Sequence, residues 1–203
     1  MREGWKELKV GDVVEKIETI DPKKSPKAEF SYIDVSSVSR KFLKVTESSK
    51  VMGRDAPSRA RRVVKSGDVI FATIRPGLKR VAEVPQDLDG AVCSTGFFVA
   101  RGCHGINGRF LFYWFLSDGF SLPILRLQRG AAYPAVSDSD VRRQTVLVPP
   151  PPEQKRIVAI LDEVFEGIDT VVANTEKKVL RRFMWIWPDR AGGPRGCQSG
   201  RSS

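Results

Sequence analysis

The chain has 203 residues, of which 41% are hydrophobic and 29% charged, a globular composition that excludes a wholly disordered chain. A chain of this length can bury a core without disulfides or a structural metal. Lys and Arg number 34 against 24 Asp and Glu, a formal net charge of +10. That excess favours an anionic partner, with nucleic acid as the first expectation and a membrane surface as the second.

The cysteine and histidine content argues against a metal centre. Cys93, Cys103 and Cys197 have no paired C-x-x-C spacing, and His104 is the sole histidine. Because a closed zinc site needs four ligands, we expect neither a metal nor a disulfide framework. The most apolar stretch, residues 110–116, is too short to span a membrane, and no signal-peptide pattern opens the chain. The expected location is therefore cytoplasmic.

The first three quarters of the chain predict short strands and loops, because short apolar runs are bounded there by turn residues. The predicted strands occupy residues 31–36, 69–74, 92–99 and 146–148. A turn at residues 65–68 precedes the second strand, and Gly96 inside the third indicates a bulge or a close backbone approach. Residues 110–127, Leu127 included, predict one or two buried amphipathic helices.

Basic side chains are concentrated in this same region. Residues 1–148 hold 25 basic and 17 acidic side chains, and residues 40–62 hold eight basic against two acidic. Small residues between these cations let them approach phosphates, and arginine can bond guanine edges bidentately. A basic turn at residues 75–80 directly follows a predicted strand. The alternative to a nucleic-acid surface is a solvated basic face.

This pattern gives a set of candidate DNA-binding residues, in which the assignment of base and phosphate contacts stays open. They are Lys50, Arg54, Ser58, Arg59, Arg61, Arg62, Arg75, Lys79, Arg80 and Tyr133. Tyr133 is expected either to stack on or wedge against a base, or to be buried.

Sequence motifs for catalysis are absent. The chain contains no G-x-x-x-x-G-K-[ST] phosphate loop, no G-x-G-x-x-G dinucleotide turn and no G-x-S-x-G nucleophile elbow. The proline run at residues 149–152 is not the Asn/Asp-Pro-Pro-aromatic motif of an amino-methyltransferase, since no Asn or Asp precedes it and no aromatic residue follows. We therefore expect a chain without catalytic residues.

Residues 153–182 carry the strongest structural pattern, that of one long helix with an apolar stripe. One row, at steps of four and three, consists of Ile157, Leu161, Val164, Ile168, Val171 and Thr175. A second row, at spacing seven, consists of Val158, Phe165, Val172 and Val179. The steps are those of a coiled coil, and thirty helical residues extend about 45 Å, too far for one domain of this size to cover.

The stripe therefore predicts a partner helix, and packing on the protein's own core is the alternative. The expected contact residues are Ile157, Leu161, Val164, Phe165, Ile168, Val171 and Val172. The four prolines at residues 149–152 are expected to form a stiff extended spacer, with Pro152 in the first helical turn. Residues 183–203, rich in Gly, Ser and Arg, predict a disordered tail.

Several segments together resemble the target recognition domain and first conserved helix of type I restriction–modification specificity subunits. They are residues 57–60 (PSRA), 67–76 (GDVIFATIRP), 94–97 (STGF), 133–137 (YPAVS) and 149–158 (PPPPEQKRIV), followed by Leu161-Asp162. The resemblance covers residues 5 to 180 in the right order. It makes Arg75, which lies in a recurrent motif, more typical of a structural or phosphate-facing residue than of a base reader.

The resemblance implies an α+β (α/β) globular target recognition domain over residues 1–148. A proline hinge and a coiled-coil-type helix for dimerisation or partner docking would follow at residues 149–182. It also implies a non-catalytic chain that binds double-stranded DNA and reads one half of a bipartite site. Adenine methyltransferase subunits would dock on the helix and a restriction translocase would join. S-adenosylmethionine, ATP and Mg would then belong to those partner subunits, with no cofactor on this chain and no membrane partner.

The family pattern has about twice this length and two recognition domains, which leaves two hypotheses open. The chain is either a half-subunit that acts as a homodimer, or the front half of an interrupted gene with residues 183–203 read in a foreign frame. The alternative functions are a DNA-recognition partner of another restriction or methyltransferase type, and a non-catalytic RNA-binding module.

Overall fold

The computed structural model describes residues 4–186, and beyond Ile168 it describes only the side chains of residues 170–172 and 175. The chain divides into two compact units after Ile160. We refer to the first unit as the body. The predicted disorder of residues 187–203 lies outside the described residues, as do the side chains of Val179 and Cys197.

Within the described residues, short strands dominate the body and a long helix follows them. The strands are β1 Lys6–Lys9, β2 Glu29–Ile33, β3 Val38–Ser39, β4 Lys44–Val45, β5 Ser49–Met52, β6 Ala60–Val63, β7 Val69–Ala72, β8 Val81–Glu83, β9 Val92–Ser94, β10 Phe97–Ala100 and β11 Thr145–Val148. The helices are α1 Val10–Val13, α2 Gly108–Leu116, α3 Asp118–Leu125, α4 Asp138–Arg142 and α5 Pro151–Ile186.

The strands form a five-stranded sheet in the order β10-β7-β8-β4-β3, a four-stranded sheet in the order β5-β2-β9-β6, and a β1-β11 pair. Residues 92–99, predicted as one strand, are two strands in different sheets, so that prediction is wrong. The chain changes sheet at Gly96, where an added Cβ would lie 2.7 Å from Val35 Cγ2. Side chains, and not another backbone segment, pack closely against Gly96, and this packing explains why a glycine stands there.

The core of the body is centred on β7, which is buried along its whole length. The Phe71 ring lies 4.9 Å from that of Phe120 and 5.6 Å from that of Phe115. These contacts pack α2 and α3 on the sheet and confirm the predicted strand and helical pair. Leu127, predicted to be buried, is exposed, because α3 ends two residues before it.

The predicted strand at residues 31–36 is wrong in its second half. β2 ends at Ile33, and Asp34 caps a 3₁₀ turn over Val35–Ser37. The last predicted strand is confirmed as β11, which pairs with β1.

The turn at residues 65–68 is confirmed and is fixed by a buried carboxylate. Asp68, 2% exposed, accepts the Lys65 backbone N–H at 2.8 Å. Arg101 donates to both oxygens of Asp68, from Nε at 2.8 Å and from Nη2 at 2.7 Å. These hydrogen bonds raise the pKa of the Arg101 guanidinium. The turn before β7 is therefore linked to the residue that follows β10.

The predicted long helix is confirmed, but it begins and ends at other residues than the predicted 153 and 182. α5 begins at Pro151, so the extended proline spacer is shorter than predicted and two prolines occupy the first turn. A proline is tolerated there because the first helical amides have no partner within the helix. The helix continues to Ile186, and residues 183–186 are helical although they were predicted to begin the tail.

The first turns of α5 are anchored in the body by Gln154, which is 1% exposed. Its Oε1 accepts the Asn107 backbone N–H at 2.8 Å, and its Nε2 donates to the Pro149 carbonyl at 3.0 Å. Val158, one turn further on, is also buried. The apolar stripe of the helix is thus covered by the body at its start.

Replacing Gln154 with leucine should lower the free energy of unfolding by about 2–3 kcal/mol, because it leaves the partly buried Asn107 N–H and the buried Pro149 carbonyl without this partner. Urea denaturation followed by circular dichroism measures the change. Lys155→Leu introduces the same side chain at an adjacent exposed position and should change stability by less than about 0.5 kcal/mol. Equal losses in the two variants would contradict the anchoring role.

Candidate nucleic-acid interface

The structure separates the predicted DNA-binding residues into two groups. Six are exposed, namely Lys50, Arg54, Ser58, Arg59, Arg75 and Tyr133. Four are half-buried, namely Arg61, Arg62, Lys79 and Arg80. The half-buried group makes hydrogen bonds and ion pairs within the protein.

Two arginines of the half-buried group support the sheets. Arg62, 17% exposed, donates to the Phe97 carbonyl at 2.6 Å and forms an ion pair with Asp138 at 2.8 Å. Because Arg62 lies in the four-stranded sheet and Phe97 in the five-stranded sheet, this hydrogen bond connects the two. Arg80 donates to the carbonyls of Val35 and Val38 at 2.9 and 3.1 Å. Both guanidinium groups therefore have structural partners.

The other two cations of this group are held by acidic side chains. Lys79 donates to the last carbonyl of α2, that of Leu116, at 3.2 Å and lies 3.3 Å from Asp118. Arg61 forms an ion pair with Asp21 at 2.7 Å. These contacts compete with DNA for the same donors, so the exposed group supplies the better candidates.

Several exposed cations lie on two segments that are separated in sequence but in contact in the fold, residues 22–28 and residues 50–54. The Gly53 and Arg54 backbone N–H groups donate to the carbonyls of Ala28 and Pro26 at 2.8 and 3.1 Å. A Cβ on Gly53 would collide with the carbonyl oxygens of Ser25 and Pro22, so the two segments pack without space for a side chain. This packing brings the lysines of residues 22–28 to the segment that carries Arg54.

We call the resulting surface the basic edge. It consists of Lys23, Lys24, Lys27, Lys50 and Arg54, all exposed. Sequence reasoning missed the first three, although three lysines within five residues were a usable signal. Arg54 lies 3.3 Å from the exposed Asp55. An exposed pair of this kind contributes little, so Arg54 can exchange that carboxylate for a phosphate.

Arg75 and Tyr133 form a second exposed site. Tyr133 is 73% exposed, so the alternative of a buried tyrosine is wrong. The Arg75 guanidinium carbon lies 5.4 Å from the centre of the Tyr133 ring, within cation–π distance. A segment at residues 67–76 is thereby joined to one at residues 133–137, both of which belong to the family pattern.

Among the side chains that the structure describes, no group of three or more His, Cys, Asp or Glu residues is arranged to hold a metal ion. The described helices also include none with the length and apolar content needed to cross a bilayer. Among the described residues, two aromatic side chains are exposed, Phe42 at 50% and Tyr133 at 73%.

Solved structures with the same fold define the class of protein, that of type I specificity subunits. The HsdS subunit from Thermoanaerobacter tengcongensis is 37% identical, with a TM-score of 0.78 over 96% of this chain and 52% of its own. A chain from a structure that addresses complex assembly and conformational transition of the type I R-M system is 36% identical, with a TM-score of 0.79 over the same shares.

Residues 2–181 match the family described as Type I restriction modification DNA specificity domain, and the chain belongs to that family. The specificity subunit of the type I restriction enzyme HindI from Haemophilus influenzae is 28% identical over 190 residues, 90% of this chain and 40% of that protein. The resemblance drawn from the sequence motifs is confirmed. The chain spans about half the length of these relatives or less.

Proposed function

We propose that the chain binds double-stranded DNA sequence-specifically, as the specificity component of a type I restriction–modification complex. The recognition domain formed by residues 1–148 would read one half of a bipartite site. Family membership supports this function, and the observation that carries it is the basic edge, five exposed cations from two segments held together by backbone hydrogen bonds. Cations fixed in this way can neutralise successive phosphates, which positions the protein on the duplex.

The exposed residues divide the work of recognition. Lysines of the basic edge suit phosphates, because an ammonium group is a point charge without directional preference. Arg59 suits a base edge, because a guanidinium can donate two parallel hydrogen bonds to guanine. Ser58, next to it, adds a hydroxyl that can donate or accept.

The long helix would serve protein partners. Val164, Ile168 and Val171 are 50%, 51% and 65% exposed, although their spacing is that of a buried seam. In this proposal the seam docks adenine methyltransferase subunits or a second copy of the chain, and a restriction translocase joins the complex. The chain itself carries no catalytic step, and S-adenosylmethionine, ATP and Mg belong to the partners.

The DNA-binding function is tested by removing three lysines of the basic edge together. Lys24→Gln, Lys27→Gln and Lys50→Gln should weaken binding to a duplex and reduce the slope of log affinity against log salt by about 3, since each lost phosphate contact removes about 0.9. Fluorescence anisotropy of a labelled 30-base-pair duplex (about three helical turns), titrated at several salt concentrations, measures both quantities.

The matched control removes three exposed lysines outside the basic edge, Lys6, Lys65 and Lys155. It changes the net charge equally, so it should lower the slope far less than the first variant. Equal slopes in the two triple variants would contradict a localised DNA surface. Tighter binding to an RNA of the same length would favour the RNA-binding alternative.

A further inference from the structure

The turn that carries Arg75 has an unusual backbone. Arg75 and Lys79 have φ angles of 49° and 47°, on either side of a short 3₁₀ turn over Pro76–Leu78. Residues other than glycine rarely adopt this left-handed backbone conformation, because their Cβ comes too close to the following carbonyl oxygen. Strained residues persist where the surrounding structure holds them, and they concentrate at functional sites. Arg75 is also exposed, so burial of its side chain does not account for the strain.

Tyr133 lies on a loop that the body holds firmly. Arg129 and Ala135 exchange two backbone hydrogen bonds of 2.9 Å across the base of the loop. The Arg75 N–H donates to the Pro134 carbonyl at 2.7 Å, and the Val136 N–H donates to the Thr73 carbonyl at 3.0 Å.

The loop is also closed tightly by Gly130. Its φ is +91°, and a Cβ there would lie 2.9 Å from the Tyr133 carbonyl oxygen. Tyr133 thus has a largely exposed side chain on a loop whose backbone is held in place. Aromatic rings in folded proteins are more often buried.

We propose that Tyr133 and Arg75 form a stacking platform that inserts at one base step of the bound duplex and stacks on the base that it exposes. The proposal rests on the DNA-binding function above and deepens it by naming what this part of the surface contacts. The ring supplies the stacking face. The guanidinium beside it, 5.4 Å from the ring centre, adds a cation that can stack on a base or reach the adjoining phosphate.

A nucleobase is the occupant that this chemistry favours. The body carries a large excess of positive charge, and DNA offers flat π faces next to phosphates, which match a ring next to a guanidinium. Every base has such a face, so the platform would tolerate any sequence. Its role would be to distort the helix and fix the position of the domain, while other residues read the base edges.

The test compares two duplexes that differ by one unpaired nucleotide. An unpaired base is already free to leave the stack, so a stacking platform should bind the bulged duplex more tightly. We expect the wild-type chain to prefer the bulged duplex by about fivefold or more, because the intact duplex must first be unstacked at the contacted step and the bulged duplex largely avoids that cost. Tyr133→Ala should bring that ratio close to one, and Tyr133→Phe should retain it.

Leu122→Ala is the matched control, since it truncates another large exposed side chain of the body and should leave the ratio unchanged. A wild-type chain that binds both duplexes equally would overturn the platform alone, as would a Tyr133→Ala variant that retains the wild-type ratio. A wild-type chain that binds neither duplex at low salt would overturn the DNA-binding function itself, and the platform with it.

Discussion

Replacing Asp68 with alanine should lower the free energy of unfolding of the chain by about 3–5 kcal/mol, the usual cost of removing one partner from a buried ion pair. The carboxylate is 2% exposed and accepts three hydrogen bonds, two from Arg101 and one from the Lys65 backbone. Without it, a largely buried guanidinium has lost its bidentate partner and the turn before β7 has lost its closing contact. Because β7 is the centre of the core, the loss is expected to spread beyond the turn.

Urea denaturation measured by circular dichroism gives the change in stability. Asp118→Ala is the control, because it also removes a carboxylate from an ion pair, here with Lys79, but at a position that is 80% exposed. Exposed pairs contribute about 0–1 kcal/mol, so the control should remain near the wild type. A loss below 1 kcal/mol for Asp68→Ala would contradict the structural role of the pair.

The elements that the sequence predicts well are those whose pattern is local. The run that forms β7 is continuously apolar, as expected for a strand that is buried on both faces. The apolar rows of α5 are visible because helical spacing repeats within a few residues. The split between β9 and β10 was not predictable in this way, since it depends on which strands from elsewhere in the chain pair on each side of Gly96.

The candidate site also depends on contacts between distant parts of the chain, which a local sequence pattern cannot predict. Arg59 and Arg62 lie three residues apart in a basic stretch, yet Arg59 is exposed while Arg62 connects the two sheets. Composition cannot distinguish them, because the difference arises from the position of the Phe97 carbonyl in the fold. The proximity of the segment of Lys24 and Lys27 to that of Arg54 was not predictable for a related reason, since it arises from the packing around Gly53.

A single aspartate in the exposed seam of α5 should strongly weaken association of the chain through this helix. Ile168 is 51% exposed in the described structure, and in a partnered helix its side chain would be buried. An unpaired carboxylate in that position costs several kcal/mol, so Ile168→Asp should weaken association by about 100-fold or more. Light scattering after size exclusion at micromolar concentration measures self-association, and co-purification at low salt measures binding to an adenine methyltransferase subunit.

Thr170→Asp provides the control, because it adds the same charge to the helix at an exposed position outside the predicted seam. It should leave both kinds of association intact. A wild-type dimer disrupted only by Ile168→Asp would support the half-subunit hypothesis. A wild-type monomer that binds the methyltransferase subunit, and loses it only in the Ile168→Asp variant, would instead assign the seam to that partner. A wild-type chain that shows neither association would contradict the docking function of the helix, even if the chain still binds DNA.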